Sequence, residues 1–248
     1  MYQFFIEDEN AAEDFVTIEG SDVNHIKNVL RMKPGEKIRV CTRNGQNYFC
    51  SISDITESFV RADILEKEAE STELPCRIYL FQGLPKNDKM EWIIQKTVEL
   101  GVYEVIPVAM KNCVVKLDDK KAKSKVMRWQ AIAESAAKQS KRSLIPEVKM
   151  PMSYKEAVAY AKELDVKLVP YENEHGMAGT KAAMEQIKKG ESIAVFIGPE
   201  GGFAPEEIAL VQDEMQLISL GKRILRTETA GIAALAILGY QLESSDMI

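Results

Sequence analysis

The chain has 248 residues, 46% hydrophobic and 28% charged, with a formal net charge of −6, a composition that suits one large or two smaller globular cores. No apolar run approaches the ~20 residues of a membrane span; the longest, Ala230 to Leu238, reads as a buried helix, and the N-terminal Met1-Tyr2-Gln3-Phe4-Phe5-Ile6-Glu7-Asp8 lacks the basic start of a secretory leader. Four scattered cysteines (Cys41, Cys50, Cys76 and Cys113) form no Cys-x-x-Cys pair, and two histidines, His25 and His175, rule out a histidine-rich metal site, so the expectation is a reducing cytoplasm and no metal.

Short alternating runs open the chain: Tyr2–Ile6, Phe15–Ile18, Lys37–Cys41, Tyr48–Ile52 and Phe59–Ile64 read as strands, with Asn44-Gly45 as a hairpin signal. One helix interrupts them, with Ser21 as its cap and Val23, Ile26, Val29 and Leu30 as its apolar stripe. The acidic run from Leu65 to Glu73, followed by Pro75, marks a boundary, dividing a β-rich domain at 1–72 from a second domain at 73–248. Strands then alternate with helices. Arg77–Phe81, Tyr103–Pro107, Val166–Val169, Ile193–Ile197 and Gln216–Ser219 read as strands. Helices are predicted over Asp88–Leu100, Lys121–Arg142, from Ser153 to Leu164, from Thr180 to Lys189, after Pro205 and after Arg226. That order predicts an α/β domain with a mainly parallel sheet.

Charge is segregated along the chain. Lys111 to Arg142 carries ten basic residues against three acidic ones, and Lys27 to Arg43 six against one. Such blocks make local positive fields on an acidic protein, as nucleic-acid binding requires, or solvated lysine-rich faces. Trp92 and Trp129 read as core anchors rather than stacking platforms.

Familiar phosphate loops are absent: there is no Gly-x-Gly-x-x-Gly, and Gly221-Lys222 lacks the rest of a Walker A loop. Three strand-end loops remain, around Pro170-Tyr171-Glu172, Gly198–Gly202 and Leu220–Arg226. Each offers backbone groups to a small molecule at the carboxyl end of a parallel sheet, with Leu220, Ile224 and Leu225 able to enclose a flat ring; the alternative is ordinary βα turns with apolar shoulders.

Gly198-Pro199-Glu200-Gly201-Gly202-Phe203 with Glu206-Glu207, followed by Leu220-Gly221-x-Arg223-Ile224-Leu225-Arg226-x-Glu228-Thr229-Ala230, resembles the SPOUT class of S-adenosylmethionine-dependent RNA methyltransferases. His25-Ile26-x-x-Val29-Leu30-Arg31, Gln95-Lys96-x-x-Glu99-Leu100-Gly101-Val102, Arg128-Trp129 and Glu134-x-Ala136-x-x-Gln139-Ser140-x-Arg142 extend the likeness, in order, over nearly the whole chain, toward the branch that methylates N3 of a uridine in 16S ribosomal RNA of the small ribosomal subunit. The resemblance implies a SPOUT domain with a deep trefoil knot, an N-terminal PUA-like β-barrel, a homodimer and S-adenosylmethionine as cofactor. Its cofactor residues are then Pro170, Tyr171, Glu172, Ile197, Gly198, Pro199, Gly201, Gly202, Leu220, Gly221, Ile224, Leu225, Thr229 and Ala230. Arg226 is the candidate for charge stabilisation, or else caps neighbouring carbonyls; Glu200 orients the base or accepts a proton, or else braces its own loop. Arg31, Arg128, Lys138 and Arg142 are the candidate RNA contacts. A non-catalytic RNA-binding assembly factor with a vestigial cleft is the competing reading.

Overall fold

The computed structural model describes residues 1–68, 71–174 and 176–244. Ala69 and Glu70 of the acidic run, together with His175, lie outside the described residues. The chain forms two compact units, one of Met1–Glu73 with Ala137–Ile145, the other of Leu74–Ala136 with Pro146–Ile248.

In the first unit, strands β1 (Tyr2–Ile6), β2 (Phe15–Glu19), β3 (Lys37–Thr42), β4 (Asn47–Ile55) and β5 (Phe59–Glu68) form one sheet ordered β1-β3-β4-β5-β2, the PUA-like half of the fold. Only the β1–β3 pairing is parallel. Alternation along the strands turns Ile18, Ile38, Val40, Ile52, Val60 and Ala62 into a common core. The expected hairpin is present: Gly45 takes φ +87°, which favours glycine, and donates its N–H to the Thr42 carbonyl at 3.1 Å.

Two expectations need correction here. The acidic run does not break the strand at once, because Tyr48 pairs with Lys67 and Phe49 with Glu66, carrying β5 on to Glu68. The expected helix is capped at Gly20, not Ser21, and α1 (Ser21–Asn24) opens into a wide π-type turn over His25–Val29, in which the Leu30 N–H reaches the His25 carbonyl at 2.8 Å. The extra residue rotates the stripe, so that Val23 and Ile26 are buried while Val29 is 64% exposed.

The second unit contains β6 (Arg77–Gly83), α2 (Lys89–Glu99), β7 (Val102–Ala109), α3 (Asp119–Ser140, whose last residues group with the first unit), β8 (Glu147–Val148), β9 (Met152–Ser153), α4 (Tyr154–Ala161), β10 (Val166–Pro170), α5 (Ala178–Glu185), β11 (Ser192–Ile197), α6 (Pro205–Val211), β12 (Gln216–Ile218) and α7 (Thr227–Ser244). Its sheet runs β12-β10-β11-β6-β7-β8, with β9 also on β7, and every pairing is parallel. A parallel sheet is covered on both faces, which is why β11 is buried at every position. Phe81 and Phe196, on adjacent strands, stack at 4.4 Å with their planes 3° apart. The expected face of α2, Met90, Ile93, Ile94, Thr97 and Val98, is buried, and Ser153 starts α4 with a complete capping box.

Thr180 is not a helix cap. It lies within α5, where its hydroxyl donates to the Ser219 carbonyl at 2.9 Å and accepts from the Ser219 N–H at 3.0 Å, tying α5 to the end of β12. Trp129 is buried at 3% exposure as expected, whereas Trp92 is 52% exposed on α2.

Candidate active site

Because β12, β10 and β11 are neighbours in the sheet, the loops leaving their carboxyl ends are brought side by side, the usual ligand position in an open α/β sheet. They enclose a cavity of about 590 Å³ within the second unit. Twelve of the fourteen expected cofactor residues line it: Pro170, Tyr171, Glu172, Ile197, Gly198, Pro199, Gly202, Leu220, Gly221, Ile224, Leu225 and Ala230. Glu200 and Arg226 line it too. Gly201 and Thr229 do not. Gly201 faces Asn112, whose amide donates to the carbonyls of Gly201 at 3.0 Å and Gly202 at 3.2 Å; a Cβ on Gly201 would come 3.0 Å from the Asn112 Cβ. Thr229 is exposed, and it is Thr227, two positions earlier and buried, that lines the cavity.

Thr227 begins α7 and belongs to a buried polar chain. Gln82, wholly buried at the end of β6, donates from Nε2 to the Thr227 Oγ1 at 2.9 Å, and Thr227 donates to the Gly198 carbonyl at 2.6 Å. The β6–β11 register places Gln82 opposite Ile197, immediately before that carbonyl. The Gly198–Gly202 loop, the α7 entrance and the sheet are thereby joined by two short hydrogen bonds in a region of low dielectric. Packing demands the same closeness: a Cβ on Gly83 would lie 2.7 Å from the Pro199 nitrogen, so only glycine lets the loop approach β6.

Glu200 is held from two sides. Its carboxylate accepts from the Lys86 N–H and from Lys89 Nζ, both at 3.0 Å. Burial pushes its pKa up, but the Lys86 N–H and the Lys89 ammonium outweigh that, and the net direction is below the ordinary carboxylate value. Lys89 also lies 3.2 Å from Glu228 at the α7 entrance, as an ion pair rather than an aligned hydrogen bond. Its pKa is raised, chiefly by the hydrogen bond to Glu200. On the next wall, Glu207 accepts from the N–H groups of Lys111 and Ala204, both at 2.8 Å, and so fixes the start of α6 after the glycine loop.

Charge is distributed unevenly around the cavity. Glu172 and Glu174 form one exposed acidic wall; Lys222, Arg223 and Arg226 form an exposed cationic lip. The four expected RNA contacts separate into two kinds. Lys138 donates to both Asp22 oxygens at 3.0 Å, and Arg142, 3% exposed, binds Glu73, so both stabilise the first unit. Arg31 is exposed, in left-handed backbone at φ +54°, and Arg128 is exposed while touching Glu91 at 2.8 Å.

Reading the sequence missed Lys89, Glu174, Phe203, Ser219, Lys222, Arg223 and Thr227 as lining residues. Lys222, Arg223 and Thr227 lie within or beside the Leu220–Ala230 motif, and a threonine at a helix start is a readable signal. Lys89 arrives from a helix that follows a different strand, and no local pattern announces it.

Known proteins with similar sequences and structures complete the picture. An RNA methyltransferase domain family matches residues 72–239, and an RNA methyltransferase PUA domain family matches residues 18–65. Ribosomal RNA small subunit methyltransferase E of Bacillus subtilis is 39% identical over 98% of both chains. Its namesake from Mesomycoplasma hyopneumoniae is 36% identical over 94% of this chain and 96% of its own. The crystal structure of ribosomal RNA small subunit methyltransferase E from Neisseria gonorrhoeae, bound to S-adenosylmethionine, superposes with a TM-score of 0.83 at 32% identity, covering 96% of each chain.

Proposed function

This chain belongs to the family of ribosomal RNA small subunit methyltransferase E, and we propose that it methylates N3 of a uridine in 16S ribosomal RNA with S-adenosylmethionine as donor. The observation that carries this reading is the convergence of three strand-end loops on one cavity with an acidic wall, apolar Ile197, Leu220 and Leu225, and a cationic lip. Its volume, about 590 Å³, falls in the range of small-molecule sites. The residues fit the cofactor: carboxylates for ribose hydroxyls and positive charge, aliphatic side chains for a flat ring, and glycine backbone for close approach. When bound, S-adenosylmethionine supplies a methyl group already activated on a cationic sulfur.

The protein's part is then to orient and to stabilise charge. The three loops would hold the donor and orient it toward the uridine nitrogen. Arg226, at the α7 entrance on the cavity wall, stabilises the negative charge that develops on the imide as its proton leaves and the N–C bond forms. Glu200, bonded to Lys86 and Lys89 and held below the usual carboxylate range, is a weak base; it braces the cofactor loop, and the imide proton passes to solvent.

The proposal assigns RNA binding to a domain at 1–72 with Arg31, and methyl transfer to a domain at 73–248 with Arg128 as a further RNA contact. It extends to a trefoil knot, to work on small ribosomal subunits in the cytoplasm, and to a homodimer formed through the second unit. Exposed Trp92 on α2 and Tyr240 on α7, at 52% and 74%, support the last of these. Calorimetric titration with S-adenosylmethionine is the test: one saturable site per chain is expected, and RNA binding without cofactor binding would make the protein a non-catalytic assembly factor.

A further inference from the structure

Resting on that reading, we propose that the loop Gly221–Arg226 is the part of the methyltransferase unit that grips the RNA backbone, with Lys222 and Arg223 holding phosphates beside the nucleotide that enters the cavity. About half of the other lysines and arginines on this unit meet a carboxylate. Lys89, Lys96, Lys111, Lys125 and Lys149 are among those that meet one. Among the described residues no carboxylate pairs with Lys222, Arg223 or Arg226, although Glu172 and Glu174 line the same cavity. Three cations within five residues, all exposed and all lining one cavity, repel one another unless an anion joins them. Gly221 at φ +111° and the Thr180–Ser219 hydrogen bonds fix where this loop leaves the sheet, so the charges are presented rather than trailing.

Between the cations stands Ile224, 84% exposed on the cavity's rim. A lone phosphate or a carboxylate has no use for an exposed aliphatic side chain among cations; a nucleic acid, with charged backbone and apolar base faces, matches both. The contact is one of position, not of base choice, because phosphates carry no sequence information.

The experiment measures binding of a 16S ribosomal RNA transcript to the full-length, cofactor-free protein between ~50 and ~200 mM salt. Each lost phosphate contact lowers the salt slope by about 0.7 to 0.9. The variant Lys222→Ala/Arg223→Ala is expected to lose about 1.4 to 1.8 from the slope, while Lys222→Arg/Arg223→Lys keeps it. Lys155→Ala/Lys189→Ala removes the same net charge from exposed lysines that do not line the cavity, and the slope is expected to stay. An unchanged slope in the loop variant, or equal losses in both alanine pairs, overturns the inference. So does a loop variant that alters only cofactor affinity or the oligomeric state. Failure of the underlying reading is separate: the unaltered protein would then not methylate this RNA, whether or not it binds it.

Discussion

At the scale of single residues the site divides into groups that act on substrate and groups that hold those groups still. Arg226 is assigned to the first. Its replacement by alanine is expected to lower kcat by about 10²- to 10³-fold, the usual loss of one charge-stabilising donor, with cofactor affinity and oligomeric state kept; single-turnover methylation and sedimentation check both. Thr227 is assigned to the second. Thr227→Val keeps the shape but leaves the Gln82 amide and the Gly198 carbonyl without their shared partner. An unsatisfied buried group costs about 1–3 kcal/mol, so chemical unfolding should show a loss of that order together with weaker cofactor binding. Glu200 predicts a pH effect with a definite sign. Its folded pKa is lowered, so its contribution is present at neutral pH and lost as pH falls through that lowered value. Cofactor affinity is therefore expected to fall toward acid in the unaltered protein and to be flatter in Glu200→Gln. A bell-shaped rate profile with a base titrating near neutrality would contradict the bracing role.

At the scale of elements, the meeting of loops depends on the sheet order β12-β10-β11-β6. β6 carries Gly83 against the Pro199 nitrogen, so Gly83→Ala should displace the cofactor loop and weaken S-adenosylmethionine binding; unchanged affinity by calorimetry would mean that the loop yields without cost. Local patterns found nearly all of these elements because parallel strands read as apolar runs and amphipathic helices as periodic stripes. What they could not show lies in geometry across elements. The π-type turn that exposes Val29 follows from one added residue in a helical turn, which periodicity does not register. The motif points to Thr229 by sequence position, whereas α7 turns Thr227 inward and leaves Thr229 exposed. Lys138 and Arg142 read as phosphate ligands by charge; their partners Asp22 and Glu73 are distant in sequence and invisible to a local pattern.

At the scale of the whole molecule, a net charge of −6 is compatible with an RNA substrate because the cations are segregated along the chain and create local positive fields. Burial pushes the Cys41 and Cys50 thiols up to about 12, consistent with cysteines that serve the core rather than chemistry. The most direct test of the central claim supplies labelled S-adenosylmethionine to small ribosomal subunits that lack the modification and maps the labelled atom. The account predicts label on N3 of one uridine in 16S ribosomal RNA, incorporated far more slowly with Arg226→Ala. Label on a ribose, on another RNA, or on no RNA at all would contradict it.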